Sequence, residues 1–419
     1  MLSTLTDLFF VIKKRNRVKL IYIQVLLLTS AFFEVASIFV IAPFMGLVAG
    51  SIDPNSSIFL LYVKKFLNIK DTNDLIFATG FITLFVFTIA ATISVFTIYV
   101  LTYFGNKIGA EICTDLYNLY LSKPYLFHLN TNSSDLTSKI SFDAERTTSI
   151  FLRILATNSG IIKSVSIVTA LIIYNYKVAL ILGITFVSTY VFIYLIFQSK
   201  FDKIGHILTN QKSKVYKLLS EGFGSIKDII ILSRKKFFVS EFEKSQNLIA
   251  KKSSFVTTMS LTPRQVIETV AMASVISLIL YFAKTSDENI TTILTTLAVF
   301  GLGTYKLLPS FQDIYFNLAA IKSSIPAYKS IQSYLHEAKN LKEDKYLDKD
   351  IVFKNDDILE FKDVNFFYTG SDVPSLKDIN IKIKANTSIG IVGQTGAGKS
   401  TFGNLILGLI KPTSGHIKI

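Results

Sequence analysis

Charge, cysteine and histidine are all scarce in this chain. Only 18% of its 419 residues are Asp, Glu, Lys or Arg, whereas a soluble globular chain carries about 25%. A single cysteine, Cys113, excludes an intrachain disulfide and leaves the redox compartment open. The four histidines are scattered without metal-ligand spacing, which argues against a metal site built on them. No internal repeat or low-complexity segment is present. Apolar residues take the place of charge: they make up half of the chain, and the mean hydropathy is +0.46. The remaining charge is lopsided, with 44 Lys and Arg against 30 Asp and Glu, a formal net of +14. In so apolar a chain that excess reads as the basic loops on the cytoplasmic side of a membrane. No nucleic-acid partner is expected.

Six apolar stretches have the roughly 20 residues that a bilayer-spanning helix needs. They are Leu20–Gly50, Leu75–Phe104, Phe151–Tyr174, Val178–Phe197, Pro263–Phe282 and Ile290–Phe316. Several are longer than the bilayer requires, so these helices are expected to tilt or to run on into the cytoplasm, with kinks at Pro43 and Pro309. The N-terminus turns basic at Lys13, Lys14, Arg15, Arg17 and Lys19. The stretch after it is too long for a signal-peptide core and lacks a small-residue cleavage site, so it reads as a first span that stays in the chain. Loop charge orients the set. Twelve Lys and Arg lie between 199 and 262, but only Lys177 falls between the third and fourth spans and only Lys284 between the fifth and sixth. The N-terminus and the loops 105–150 and 199–262 are therefore expected in the cytoplasm, and the loop 51–73 outside. Within that outer loop, Ile58–Ile69 reads either as an interfacial helix on the membrane surface or as an ordinary solvated one.

After Phe316 the pattern changes. Residues 317–340 read as a polar helical extension, and Lys342–Asp357 is a charged stretch. The expected division is a membrane domain over 1–335, a linker over 336–357 and an α/β domain fragment over 358–419. In the last part, Ile358–Phe367 and Ile379–Lys384 alternate apolar and polar residues as half-buried strands do. The turn signal Pro412-Thr413-Ser414-Gly415 precedes a further strand at His416–Ile419. Between them stands Gly393-Gln394-Thr395-Gly396-Ala397-Gly398-Lys399-Ser400, a complete G-x-x-x-x-G-K-[ST] phosphate loop. An apolar segment read as a strand, Ser388–Val392, precedes it, and an apolar helical run from Phe402 to Leu409 follows, which is the context the motif requires. In such a loop the glycines let backbone N–H groups turn inward around phosphate oxygens, and the helix aims its positive end at the anion. Lys399 would reach the β- and γ-phosphates of ATP, Ser400 would hold Mg²⁺, and Thr401 would be a further phosphate donor.

These residues, together with Leu359–Tyr368, Ser375–Ile379 and Pro412–Ile417, resemble the opening of an ABC-transporter ATPase domain. The resemblance implies that Tyr368 stacks on adenine; the plainer alternative is a strand-end aromatic. The apolar part resembles a six-helix ABC exporter domain, so the implied architecture is an all-α membrane domain followed by the start of an α/β P-loop domain. Asn132–Asp143 and Leu219–Phe242 resemble the segments that press on the ATPase domains. Glu34 with Pro43-Phe44, Ile58–Ile69, Pro263-Arg264 with Glu268, and Tyr305–Ser310 resemble the flippases of lipid-linked oligosaccharides and related polysaccharide exporters. The resemblance implies ATP-driven flipping or export of a lipid-linked glycan or lipid, in the inner (plasma) membrane, by a homodimer with its ATPase domains in the cytoplasm. A peptide or toxin exporter and a non-catalytic membrane fragment are the alternatives. The glutamine loop, LSGGQ-type signature, Walker B aspartate with its catalytic glutamate and switch histidine of the family have no counterpart up to residue 419. No catalytic residue is therefore assigned within this sequence, hydrolysis is expected only of a longer protein, and the chain's end at a strand is expected to reflect an incomplete sequence. Ala385-Asn386-Thr387 departs from the family's usual glycine, although Asn386 tolerates a left-handed turn.

Ionisable residues inside apolar spans are costly and mark candidate functional positions. Those singled out are Glu34, Arg153, Lys163, Arg264, Glu268 and Lys306. Lys163, Arg264 and Lys306 stand on three different spans and are candidates for holding an anionic headgroup in a central cavity. Snorkelling, or pairing between helices, is the plainer alternative. Arg264 and Glu268, four apart, suit a pair with each other.

Overall fold

The computed structural model describes residues 7–8, 13–48, 50, 53, 57–69, 71–285, 290–341, 358–368 and 370–418. The charged stretch Lys342–Asp357 lies outside the described residues. In chain order the elements are α1 (Lys14–Val48), α2 (Ile58–Phe66), α3 (Thr72–Leu121), α4 (Tyr125–Asn130), α5 (Ser133–Ser138), α6 (Ala144–Tyr174), α7 (Tyr176–Gly224), α8 (Ile226–Ile231), α9 (Lys235–Thr285) and α10 (Ile290–Asn340). They are followed by β1 (Ile358–Phe366), β2 (Leu376–Lys384), α11 (Lys399–Ile406) and β3 (Ser414–Lys418).

Each expected span overlaps one of six long helices, α1, α3, α6, α7, α9 and α10, the first span running past the end of α1 at Val48. Among the described residues three helical stretches are long and apolar enough to cross a membrane: Arg15–Val48, Thr72–Leu121 and Ser133–Tyr174. Gly183–Phe197 with Ser199–Gly224 makes a fourth if that bent pair is one span. The apolar stretches of α9 and α10 run into residues 278–298, whose side chains are not among those described. The 51 residues of α9 or α10 would extend about 75 Å at 1.5 Å per residue, well beyond a hydrocarbon core of about 30 Å. Ile21, Tyr22, Val25, Leu28 and Phe32 of α1, and Phe77, Phe81, Leu84 and Phe85 of α3, are exposed. Such apolar faces suit a lipid solvent and would be a liability in water.

The chain forms two compact units, one of residues 1–116 and 137–339, the other of residues 117–136 and 340–419. In the first, helices α1, α6, α7, α9 and α10 share a core that includes Ile38, Ile167, Tyr190, Ile267, Phe300 and Tyr315. Lipid tails are as apolar as this core, so close packing and polar bonds between helices hold it rather than the hydrophobic effect. Small residues let the backbones approach. A Cβ on Gly105 or Gly109 of α3 would overlap Leu152 or Thr148 of α6, and one on Gly205 of α7 would overlap the Ser323 carbonyl oxygen of α10. A Cβ on Gly160 of α6 would stand 3.2 Å from the Ser310 carbonyl oxygen of α10. Helix α6 is the polar hub: Asn158 donates to Gln24 at 3.0 Å, and Arg153 to Asn317 at 3.0 Å.

Short elements fill the loops. In α2, Leu60 and Val63 are buried against Leu47 and Leu75, while Ile58, Tyr62 and Phe66 are exposed. Asn132 caps α5, its Oδ1 accepting from the Ser134 amide at 2.9 Å and the Ser134 hydroxyl at 2.6 Å. A π-helical turn, Lys139–Asp143, carries α5 into α6, and there the buried Asp143 accepts from Ser330. The loop between α7 and α9 holds α8 and an open apolar groove lined by Phe223, Ile226, Ile230 and Val239.

In the second unit the strands form an antiparallel sheet in the order β2-β1-β3. Phe361, Val364, Phe366 and Leu376 point into a core closed by Phe402, Leu405 and Ile410, and Leu126 of α4 packs against the same core. Asn386 turns the chain at φ +59°, as its tolerance of left-handed backbone allows. One expectation fails. Ser388–Val392 forms no strand, and Ile389, Ile391 and Val392 are exposed. An apolar run of this kind is stable as a strand when neighbours cover both of its edges and faces, and among the described residues none lies beside it.

Candidate functional site

The phosphate loop leaves β2 through the Asn386 turn and ends where α11 begins at Lys399. Gly396 and Gly398 sit at φ +87° and +81°, a region that costs an L-residue about 1–2 kcal/mol. At Gly398 a side chain is excluded twice over, because a Cβ would also overlap the Ser375 carbonyl oxygen. Within the loop the Ala397 amide donates to the Gln394 carbonyl at 3.2 Å, and the Phe402 amide to Gly398 at 2.9 Å. Among the described residues, the amides of Gly396, Gly398, Lys399 and Ser400 have no acceptor in the protein. Four unspent donors beside a helix N-terminus form a cradle for an anion, so the residues present fit the triphosphate of ATP. Ser400, the candidate Mg²⁺ ligand, is exposed on the first turn of α11. The Lys399 ammonium folds back onto the Gly393 and Gln394 carbonyls at 2.7 and 2.6 Å. Those bonds hold its charge at the loop mouth.

Two further candidates are placed together. The Tyr368 ring lies edge-on to Phe366, with centroids 4.9 Å apart, and its hydroxyl meets that of Thr401 at 3.1 Å. Thr401 is buried, so its hydroxyl faces Tyr368 rather than the loop mouth where a phosphate donor would be needed. Tyr368 thus stands beside α11, adjacent to the loop.

The second site lies inside the helices of the first unit. A cavity of about 560 Å³ is bordered by Glu34, Arg153, Lys163, Lys306 and Asp313. Lys163 donates to Glu34 Oε1 at 3.2 Å and to the Ser94 hydroxyl at 3.0 Å. Lys306 donates to Glu34 Oε2 at 3.3 Å and to the Ser37 hydroxyl at 2.5 Å, and it lies over the Phe87 ring. Arg153 stacks on Phe316 with the guanidinium 4.6 Å from the ring centroid. Arg264 is not on this wall; it pairs with Glu268 at 2.6 Å on an exposed face of α9. The structure therefore joins Lys163 to Lys306 through Glu34 and leaves Arg264 apart. Glu34 and Asp313 complete the cavity. Both carried a sequence signal as acids in apolar spans, Glu34 in the first and Asp313 near the end of the sixth, but only Glu34 was singled out from the sequence.

The profile of the ABC transporter transmembrane region matches residues 20–303, and a second profile, described as ABC transporter, matches residues 376–419. Among similar proteins, the ATP-dependent lipid A-core flippase of Wigglesworthia glossinidia brevipalpis is 25% identical over 327 residues, which is 76% of this chain and 54% of that protein. The ATP-dependent lipid A-core flippase 2 of Colwellia psychrerythraea is 24% identical, over 77% of this chain and 54% of its own length. The corresponding flippase of Yersinia pestis is 22% identical, over 76% and 54%. The chain spans about half the length of the curated relatives it matches. With a membrane-region match across most of its length and a formed phosphate loop at its end, the chain belongs to the ABC transporter family.

Proposed function

We propose that this chain is the membrane part and the phosphate-loop end of a half-size ABC exporter that uses ATP to flip a lipid-linked glycan or lipid with an anionic headgroup. The observation that carries the reading is the cavity among apolar helices, where Lys163, Lys306 and Arg153 stand together. Cations within a bilayer are costly enough to need a purpose, and phosphate is the anion that membrane lipids present. The names of the flippase relatives support the same substrate class. The loop amides and Lys399 would hold the triphosphate, Ser400 would hold Mg²⁺, and Tyr368 would stack on the base. ATP would supply the free energy that turns the cavity from one face of the membrane to the other. The remaining ATPase motifs would lie in the rest of such a protein, which would also place neighbours beside Ser388–Val392. Two copies would pair as a homodimer in the inner membrane, with the N-terminus and the ATP-binding part cytoplasmic. The apolar groove at Phe223 and Ile230 and the partly buried Leu126 of α4 would transmit the movement.

The test is transport in proteoliposomes made with the protein as produced from its own gene. Replacing Lys163 and Lys306 together by Gln is expected to abolish flipping of a phosphate-bearing lipid and to spare basal ATP hydrolysis. Unaltered flipping would refute the headgroup reading, and transport of a peptide instead would make the protein a peptide exporter.

A further inference from the structure

One carboxylate serves two ammonium groups in the membrane cavity. Each oxygen of Glu34 takes one lysine, Oε1 from Lys163 on α6 and Oε2 from Lys306 on α10. The three side chains are 14–18% exposed, so water screens them little. With Arg153 and Asp313 on the same wall, three cations face two carboxylates.

We propose that Glu34 is an internal counter-anion, which competes with the lipid headgroup for Lys163 and Lys306 and so sets how tightly and how selectively the cavity holds it. The proposal rests on the headgroup reading above. An ammonium has three donors. Lys163 directs donors to Glu34 and Ser94, and Lys306 to Glu34 and Ser37, so a phosphate that binds both lysines does so largely at the expense of Glu34. Pulling a buried ion pair apart without replacement is strongly unfavourable. Exchanging one anion for another keeps both ammoniums paired. An uncharged headgroup offers no such exchange and is excluded. Because Glu34 is tethered on α1, it returns at high effective concentration when the headgroup leaves. A lipid bound weakly enough to leave is what a flippase requires.

The experiment measures binding and dissociation of radiolabelled farnesyl diphosphate on the protein as produced from its own gene, in phosphatidylcholine nanodiscs, with farnesol as the uncharged comparison. Glu34→Gln is expected to bind the diphosphate about tenfold tighter, the scale of one charge-assisted hydrogen bond, with slower release and no change for farnesol. If Glu34→Gln does not fold, Glu34→Asp carries the test, since its shorter reach loosens the grip and gives a smaller tightening in the same direction. Unchanged or weaker diphosphate binding in the folded variant, while Lys163→Gln with Lys306→Gln loses it, would overturn the counter-anion role and leave the headgroup reading standing. Full diphosphate binding by that double lysine variant would overturn both.

Discussion

At residue 398 the backbone turns to φ +81° and a Cβ would overlap the Ser375 carbonyl oxygen. Gly398→Ala should therefore distort the phosphate cradle, with a loss of ATP affinity of about tenfold or more from the 1–2 kcal/mol of backbone strain alone, measurable with a fluorescent ATP analogue. Gly403 is the contrast. It lies inside α11 with open space around it, so Gly403→Ala should leave affinity unchanged and stabilise the helix by about 0.5–1 kcal/mol, read as a higher Tm. The phosphate loop is legible in sequence because local backbone geometry alone demands its glycines, lysine and hydroxyl. The meeting of Tyr368 with Thr401 joins residues 33 apart, and the two lysines reach Glu34 across 129 and 272 residues. No local pattern reports contacts of that kind.

Between elements, α7 and α9 are joined by an ion triad. Glu241 of α9 accepts from Lys214 of α7 and from Lys244 of its own helix, each at 2.8 Å. Hydrogen bonds from these lysines, reinforced by their charge, lower the Glu241 carboxyl from an ordinary 4.5 to about 2. A depressed carboxyl contributes stability at every pH above its unfolded value. That contribution fades as pH falls from about 4.5 towards 2. Solvent screens an exposed triad, so the effect on Tm should be small and should shrink with salt. Titration of the Glu241 carboxyl by NMR is the direct check: the midpoint should lie near 2, and Lys214→Ala should move it upward. An undisplaced midpoint in that variant would refute the pairing. The helices were legible from their length and apolarity, and β1 and β2 from alternation. Ser388–Val392 was misread because an apolar run says nothing of whether a neighbouring strand is there to pair with it.

The inter-span loops carry most of their basic residues at one end of the span pattern, and that asymmetry sets the expected topology. In a Cys113→Ser background, Lys65→Cys on α2 should react with an impermeant maleimide in intact cells, and Lys227→Cys on α8 only after permeabilisation. Labelling of Lys227→Cys in intact cells would invert the topology. The membrane domain was legible as six apolar stretches, but which helices would touch was not, since lipid and a neighbouring helix are both apolar surroundings. The glycine seams decide that, and they constrain motion as well. Where α7 meets α10, a methyl group on Gly205 would strike the Ser323 carbonyl oxygen, whereas where α3 meets α6 one on Gly105 or Gly109 would strike a side chain, Leu152 or Thr148. At the first seam a side chain would run into backbone, so α7 and α10 resist sliding along one another there. Movement between those two helices is therefore expected as a hinge and not a shear.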